Sequence, residues 1–189
     1  MNRIALTLLG ILFAAPALAA DLEIVCIDGS AIRVKLLDER LEVKTKYGTL
    51  TIPASDVHRV AFAMRLTVAE TKRIDDLIIG LGNSDFDTRE KADAELRGLR
   101  ERGYTAVVKA AKNPDAEISR RAVEIAARLR GMVSREILEP PALDEIHTAD
   151  GSVIRGTIAA ESLRVRTTMF AEQKLHLTDA RRLDAIPKK

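Results

Sequence analysis

Tryptophan is absent from this 189-residue chain, and only two tyrosines and four phenylalanines are present. A core must therefore be built from Ile, Leu, Val and Ala, and aromatic platforms for stacking bases or sugar rings are scarce. Cysteine occurs once, as Cys26, so no internal disulfide can form. Cys26 ends the alternating run Leu22-x-Ile24-x-Cys26, which turns it inward and reads as a buried, inert thiol. An excess of one charge sign is also missing: 30 basic residues face 28 acidic ones, a net charge of +2. That balance argues against a strong general affinity for nucleic acid, which depends on a basic surface. After residue 20 no apolar run approaches the ~20 residues needed to cross a bilayer.

The first twenty residues read as a secretory leader. Met1-Asn2-Arg3 carries the positive charge, Ile4 to Ala15 is apolar, Pro16 breaks the run, and Ala17-Leu18-Ala19 has the small-x-small cleavage pattern. Cleavage is expected after Ala19 or Ala20. No cysteine sits at that junction, so a lipoprotein anchor is not expected. These features place the mature chain in the periplasm or outside the cell, with no membrane span once the leader is gone.

Comparing the chain with itself reveals a duplication. Val25–Thr45 aligns without gaps on His147–Thr167, with nine of 21 positions identical, including Asp-Gly-Ser-x-Ile-Arg and Glu-x-Leu-x-Val-x-Thr. The match continues through Leu50-Thr51-Ile52 with Leu175-His176-Leu177, and through Asp56–Val60 with Asp179–Leu183. Within one copy, period-two alternation predicts short strands. Asp28-Gly29 marks a tight turn, Asp38-Glu39-Arg40 a second and Gly48 a third, and Pro53 stops a strand because it lacks a ladder donor.

Between the copies the period changes to that of helices. Thr67-x-x-Glu70 and Asp87-x-x-Glu90 read as capping boxes. Ile74, Leu77, Ile78 and Leu81 form one apolar stripe, and Ala92, Leu96 and Leu99 a second, ended by Gly103. Tyr104 to Ala111 is a third helix, and Asn113-Pro114 opens a fourth with Ile118, Ala122, Ile125 and Leu129 inward and Gly131 at its end. Pro140-Pro141 marks the return to strands.

Ser84 to Gly131, with Asn113-Pro114-Asp115 followed by the Ala-rich basic helix through Arg120-Arg121-Ala122, resembles a HEAT-repeat unit. The order of strands and turns in each β copy resembles the small SH3-like or Sm-like barrels. These resemblances imply surfaces that bind other proteins. The expected fold class is α+β: two duplicated, small, barrel-like antiparallel β motifs separated by a four-helix HEAT-like segment. The expected division is a leader at 1–20, β copies at 21–63 and 145–186, helices at 64–131, a linker at 132–144 and a basic tail at 187–189.

No constellation of residues announces catalysis, a cofactor or a metal. His58, His147 and His176 stand in no ligand spacing. Ser30 and Ser152 lie beside Asp28 and Asp150 in what reads as turn chemistry, and Asn83–Asp87 reads as an inter-helix turn rather than a calcium loop. Acidic pairs at Asp38-Glu39 and Asp75-Asp76, and the helical arginines, read as solvated faces. The expected function is that of an exported, non-enzymatic binding or scaffold protein of the bacterial envelope. It would contact a protein partner through its helical face or its β edges. The alternative is an accessory module that binds an anionic envelope polymer through outward Arg33, Arg155, Arg164 and Arg166. A hydrolase ranks third, since it requires a cleft where a histidine meets Ser or Asp.

Overall fold

The computed structural model describes residues 21–186. The segments read as a leader (1–20) and a basic tail (187–189) lie outside the described residues. In the first copy, β1 (Asp21–Cys26) and β2 (Ala31–Leu36) form a hairpin with Leu22 opposite Val34 and Ile24 opposite Ile32. Gly29 turns it at φ +91°, a conformation that a side chain disfavours. Next come β3 (Arg40–Thr45) and β4 (Gly48–Pro53), paired as a second hairpin, a 3-10 turn at Ala54–Asp56, and β5 (Val57–Ala61). The second copy repeats the series as β6 (Asp144–Thr148), β7 (Val153–Ile158), β8 (Ser162–Arg166), β9 (Glu172–His176) and β10 (Ala180–Ala185).

The expectation of two barrel-like β motifs separated by a four-helix segment is overturned. All ten strands join one open antiparallel sheet, in the order β4-β3-β7-β6-β5-β10-β1-β2-β8-β9. The copies are interleaved: β2 pairs with β8 instead of β3, and β3 pairs with β7 instead of β8. Replacing each strand by its repeat counterpart reverses the order and leaves it unchanged. A pseudo-twofold axis therefore passes between β5 and β10, at the Val60–Leu183 pair, which are repeat counterparts. Bonds between copies obey the same symmetry. The Leu37 amide donates to the Arg164 carbonyl, and its counterpart Ala159 to Glu42, both at 2.9 Å.

The reason lies in size. A copy of about 40 residues is at the limit below which a lone domain is marginal. Interleaving pools the inward residues of both copies into one core, in which Ile24, Val43, Val60, Ile146, Leu163, Leu177 and Leu183 are almost wholly buried.

Five helices, rather than four, separate β5 from β6: α1 (Val68–Gly80), α2 (Phe86–Gly98), α3 (Glu101–Ala110), α4 (Ala116–Met132) and the single turn α5 (Arg135–Leu138), which lies in the stretch read as linker. The Thr67–Glu70 capping box forms as expected. The second box does not: Asp85 caps α2 by accepting from the Thr88 amide at 2.8 Å. Gly103 lies inside α3, and the break before that helix falls at Arg100, whose φ is +49°. Gly131 likewise lies within α4.

The hairpins α1–α2 and α3–α4 enter their second helices through one shared turn. The Asn83 side chain accepts from the Asp85 amide at 2.8 Å, and Asn113 from Asp115 at 2.9 Å. The helices have their own core around Leu81, Leu96, Val107, Ile125 and Leu129, separate from that of the sheet.

Polar contacts join the two layers. Arg102 bonds Glu70 and the Thr178 carbonyl, the latter at 2.9 Å, and Arg181 bonds Glu101 at 2.6 Å and the Ile27 carbonyl at 2.7 Å. Among the described residues no helix is long and apolar enough to cross a membrane.

Candidate functional site

The four arginines singled out by sequence have different fates. Arg155 on β7 bonds Glu145 across the β6–β7 pair at 2.7 Å. Arg164 on β8 gives its amide and its Nε to the two oxygens of Asp38, each at 2.8 Å. That bond raises the Arg164 pKa above its ordinary value. Both arginines are thus committed to holding strands together.

Arg33 and Arg166 have no carboxylate within 4.0 Å among the described residues. They line one groove of about 470 Å³ along the β2–β8 seam, together with Lys35, Asp21 and Thr168. Alternation along β2 puts Lys35 on the outward face with Arg33, but its meeting with Arg166 has no local signal, because the two come into register only when β2 pairs with the other copy.

The duplicated Asp-Gly-Ser turns are self-satisfied. Asp28 accepts from the Ser30 amide at 2.8 Å and hydroxyl at 3.0 Å, and Asp150 from those of Ser152 at 3.0 and 3.1 Å. The Ser30 amide bond holds the Asp28 carboxyl below its usual range, and the Thr148 hydroxyl does so most for Asp150. His58, His147 and His176 sit on three different strands, β5, β6 and β9. Cys26 is buried, and desolvation pushes its thiol pKa up, away from reactivity.

Most helical arginines are balanced by carboxylates, whereas Arg130 donates to the Tyr104 hydroxyl at 2.7 Å. Asp93 faces Arg97 at 2.6 Å and Arg128 at 3.6 Å, and Glu117 bonds both Arg120 and Arg121.

Between sheet and helices lies a cavity of about 250 Å³, lined mostly by apolar atoms from Val25, Ile27, Phe62, Met64, Ile137 and Pro140. Arg59 and Arg182, counterparts in the repeat, stand beside it and share the one carboxylate of Asp184.

The sheet ends in two counterpart strands, β4 and β9, whose outer edges pair with no strand among the described residues. They differ in chemistry. β9 carries Glu172, Lys174 and His176, charged or titratable side chains that blunt an edge. β4, with sequence Gly-Thr-Leu-Thr-Ile-Pro, carries no charge over six residues. Beside it Tyr47 is 86% exposed, and Leu50 within it is 44% exposed.

No family model, no curated protein and no solved structure matches this chain.

Proposed function

We propose that this chain is an exported, non-enzymatic binding protein of the bacterial envelope, and that its partner is a protein that adds an extended segment to the sheet at β4. The uncharged outer edge of β4 carries the proposal. An edge strand presents a row of amide and carbonyl groups, and proteins ordinarily protect such a row with charge, bulges or a covering element. β9 has charge; β4 has only Pro53 at its end. Strand addition draws affinity from these main-chain groups and specificity from alternate side chains. Here those side chains are Thr49 and Thr51 on one face and Leu50 on the other, with Tyr47 at the turn, so the matching segment is uncharged and rich in β-branched residues.

The leader-like run at Ile4–Ala19 supports export. The local satisfaction of both Asp-Gly-Ser turns supports a non-enzymatic role.

Hydrogen exchange of the β4 amides, measured with and without short uncharged Thr/Val peptides, tests the reading. Peptide binding should slow exchange in β4 and not in β9, and the double variant Thr49→Lys/Thr51→Lys should abolish the effect. Peptides that bind without protecting β4, or that bind the double variant equally well, would refute it. Light scattering in the same experiment separates a peptide partner from a second copy of the chain.

A further inference from the structure

Three cations meet in a groove that neither copy of the repeat contains alone. Arg33 and Lys35 alternate along β2 and so share a face, with charges attached about 6–7 Å apart. Arg166 arrives from the other copy, on β8, directly opposite Lys35 and about 5 Å across the ladder.

Each of the three cations has a carboxylate opposite it in register, but these pairs are weak or unmade. Asp21 is 3.9 Å from Lys35, with both side chains more than half exposed, so the pair contributes little. Glu23 stands opposite Arg33 in register but forms no ion pair with it, and Glu172, opposite Arg166, turns to Arg164 at 3.8 Å. The counterpart seam of β7 and β3 carries fewer cations: Lys44, counterpart of Arg166, stands opposite Thr157. Thr157 stands where Lys35 would be, and Arg155, counterpart of Arg33, is held by Glu145. The β2–β8 seam thus brings three cations together with both guanidinium groups unpaired among the described residues, where the counterpart seam brings two, one of them paired.

From this we infer that the β2–β8 groove binds a phosphate-bearing polyanion. Guanidinium forks match the oxygens of phosphate, and Arg33 and Arg166 have theirs unspent. Thr168 adds a hydroxyl at the groove wall. The charges are spaced by the strand repeat along a groove open to solvent, which suits several linked anionic groups better than one. The site is independent of strand addition at β4, so failure of either reading leaves the other standing.

Titration calorimetry with tripolyphosphate, at low ionic strength and at about 0.15 M, tests the assignment. Saturable binding should weaken with salt and fall roughly tenfold or more in the double variant Arg33→Gln/Arg166→Gln. Arg155→Gln should bind as the unmodified chain does, and thermal melts should show all variants folded. Undiminished binding by the double variant, an equal loss in Arg155→Gln, or no saturable binding at low salt would overturn the site. Equally tight binding of polygalacturonate, a carboxylate polymer, would overturn phosphate as the ligand class.

Discussion

Asp144 and Arg65 form an ion pair that closes the gap between the two β copies. The Asp144 carboxylate is fully buried at the start of β6 and accepts from Arg65 at 3.0 and 2.5 Å. It also accepts from the Ala63 amide just past β5, at 2.9 Å, and from the Ile158 amide at the end of β7, at 2.8 Å. One side chain thus ties the exit of the first copy to both strands of the second copy's first hairpin.

Removing that carboxylate leaves the Ala63 and Ile158 amides without partners and takes the counter-charge from the Arg65 guanidinium, which keeps only the Ala63 carbonyl at 3.3 Å. Asp144→Ala should cost about 3–5 kcal/mol of unfolding free energy. Arg65→Met should cost less, because Asp144 keeps its two amide donors and Arg65 is partly exposed. Urea unfolding of both variants checks the order.

At Gly156 a Cβ would lie 2.5 Å from the Lys44 carbonyl oxygen and 2.7 Å from a Val43 methyl. The β3–β7 seam closes only because this position has no side chain, whereas its repeat counterpart is the buried Val34. Gly156→Ala should destabilise by about 1–3 kcal/mol. Gly156→Val, which makes the two copies more alike in sequence, should be worse. Thermal melts of both variants decide the matter.

Interleaving has a consequence for truncation. A chain ending at residue 140 keeps every strand of the first copy but removes one partner each of β1, β2 and β3 and both partners of β5. It should lose the cooperative sheet transition while the helices, which have their own core, retain theirs. Circular dichroism and amide chemical-shift dispersion report each part separately. A folded sheet in the truncated chain would contradict the interleaved pairing.

Glu117 gives a dependence on pH. Its bonds to Arg120 and then Arg121 lower its pKa from 4.5 to about 2. A carboxyl with a depressed folded pKa stabilises the protein fully above its unfolded value and loses that contribution as it is protonated in the folded state. The contribution of Glu117 should therefore fade as pH drops from about 4.5 towards 2, and Glu117→Gln should show a flatter melting-temperature profile across that window. Parallel profiles would contradict this.

Much of the local structure was legible in the residues. The alternation of Leu22, Ile24 and Cys26 marked β1, Asp28-Gly29 marked its turn, and Thr67-x-x-Glu70 marked the start of α1. Boundaries set by longer-range packing were harder to read. Asp87-x-x-Glu90 has the spacing of a capping box, yet Asp85 takes the cap because Asn83 bonds its amide and fixes the approach to α2. Gly103 looked like a helix end and is held inside α3, where it packs on Leu96 and Leu99. Of the candidate site, Arg33 and Arg166 were legible as outward cations. Their separation from Arg155 and Arg164 was not, because Glu145 and Asp38 reach those two only across strands.

The sequence by itself determined which residues form strands, where the chain turns tightly, that the β unit occurs twice, and that helices lie between the copies. All of these follow from interactions between near neighbours. Which strand lies beside which was decided only in the tertiary structure. Because the copies share one apolar pattern, β2 presents the same inward face to β3 of its own copy and to β8 of the other, and period-two alternation cannot tell them apart. What separates the two pairings is the total apolar surface buried when both copies share a core, together with single long-range contacts such as Asp38 to Arg164 and Asp144 to Arg65. The cationic groove and the two unequal sheet edges exist only as products of that choice.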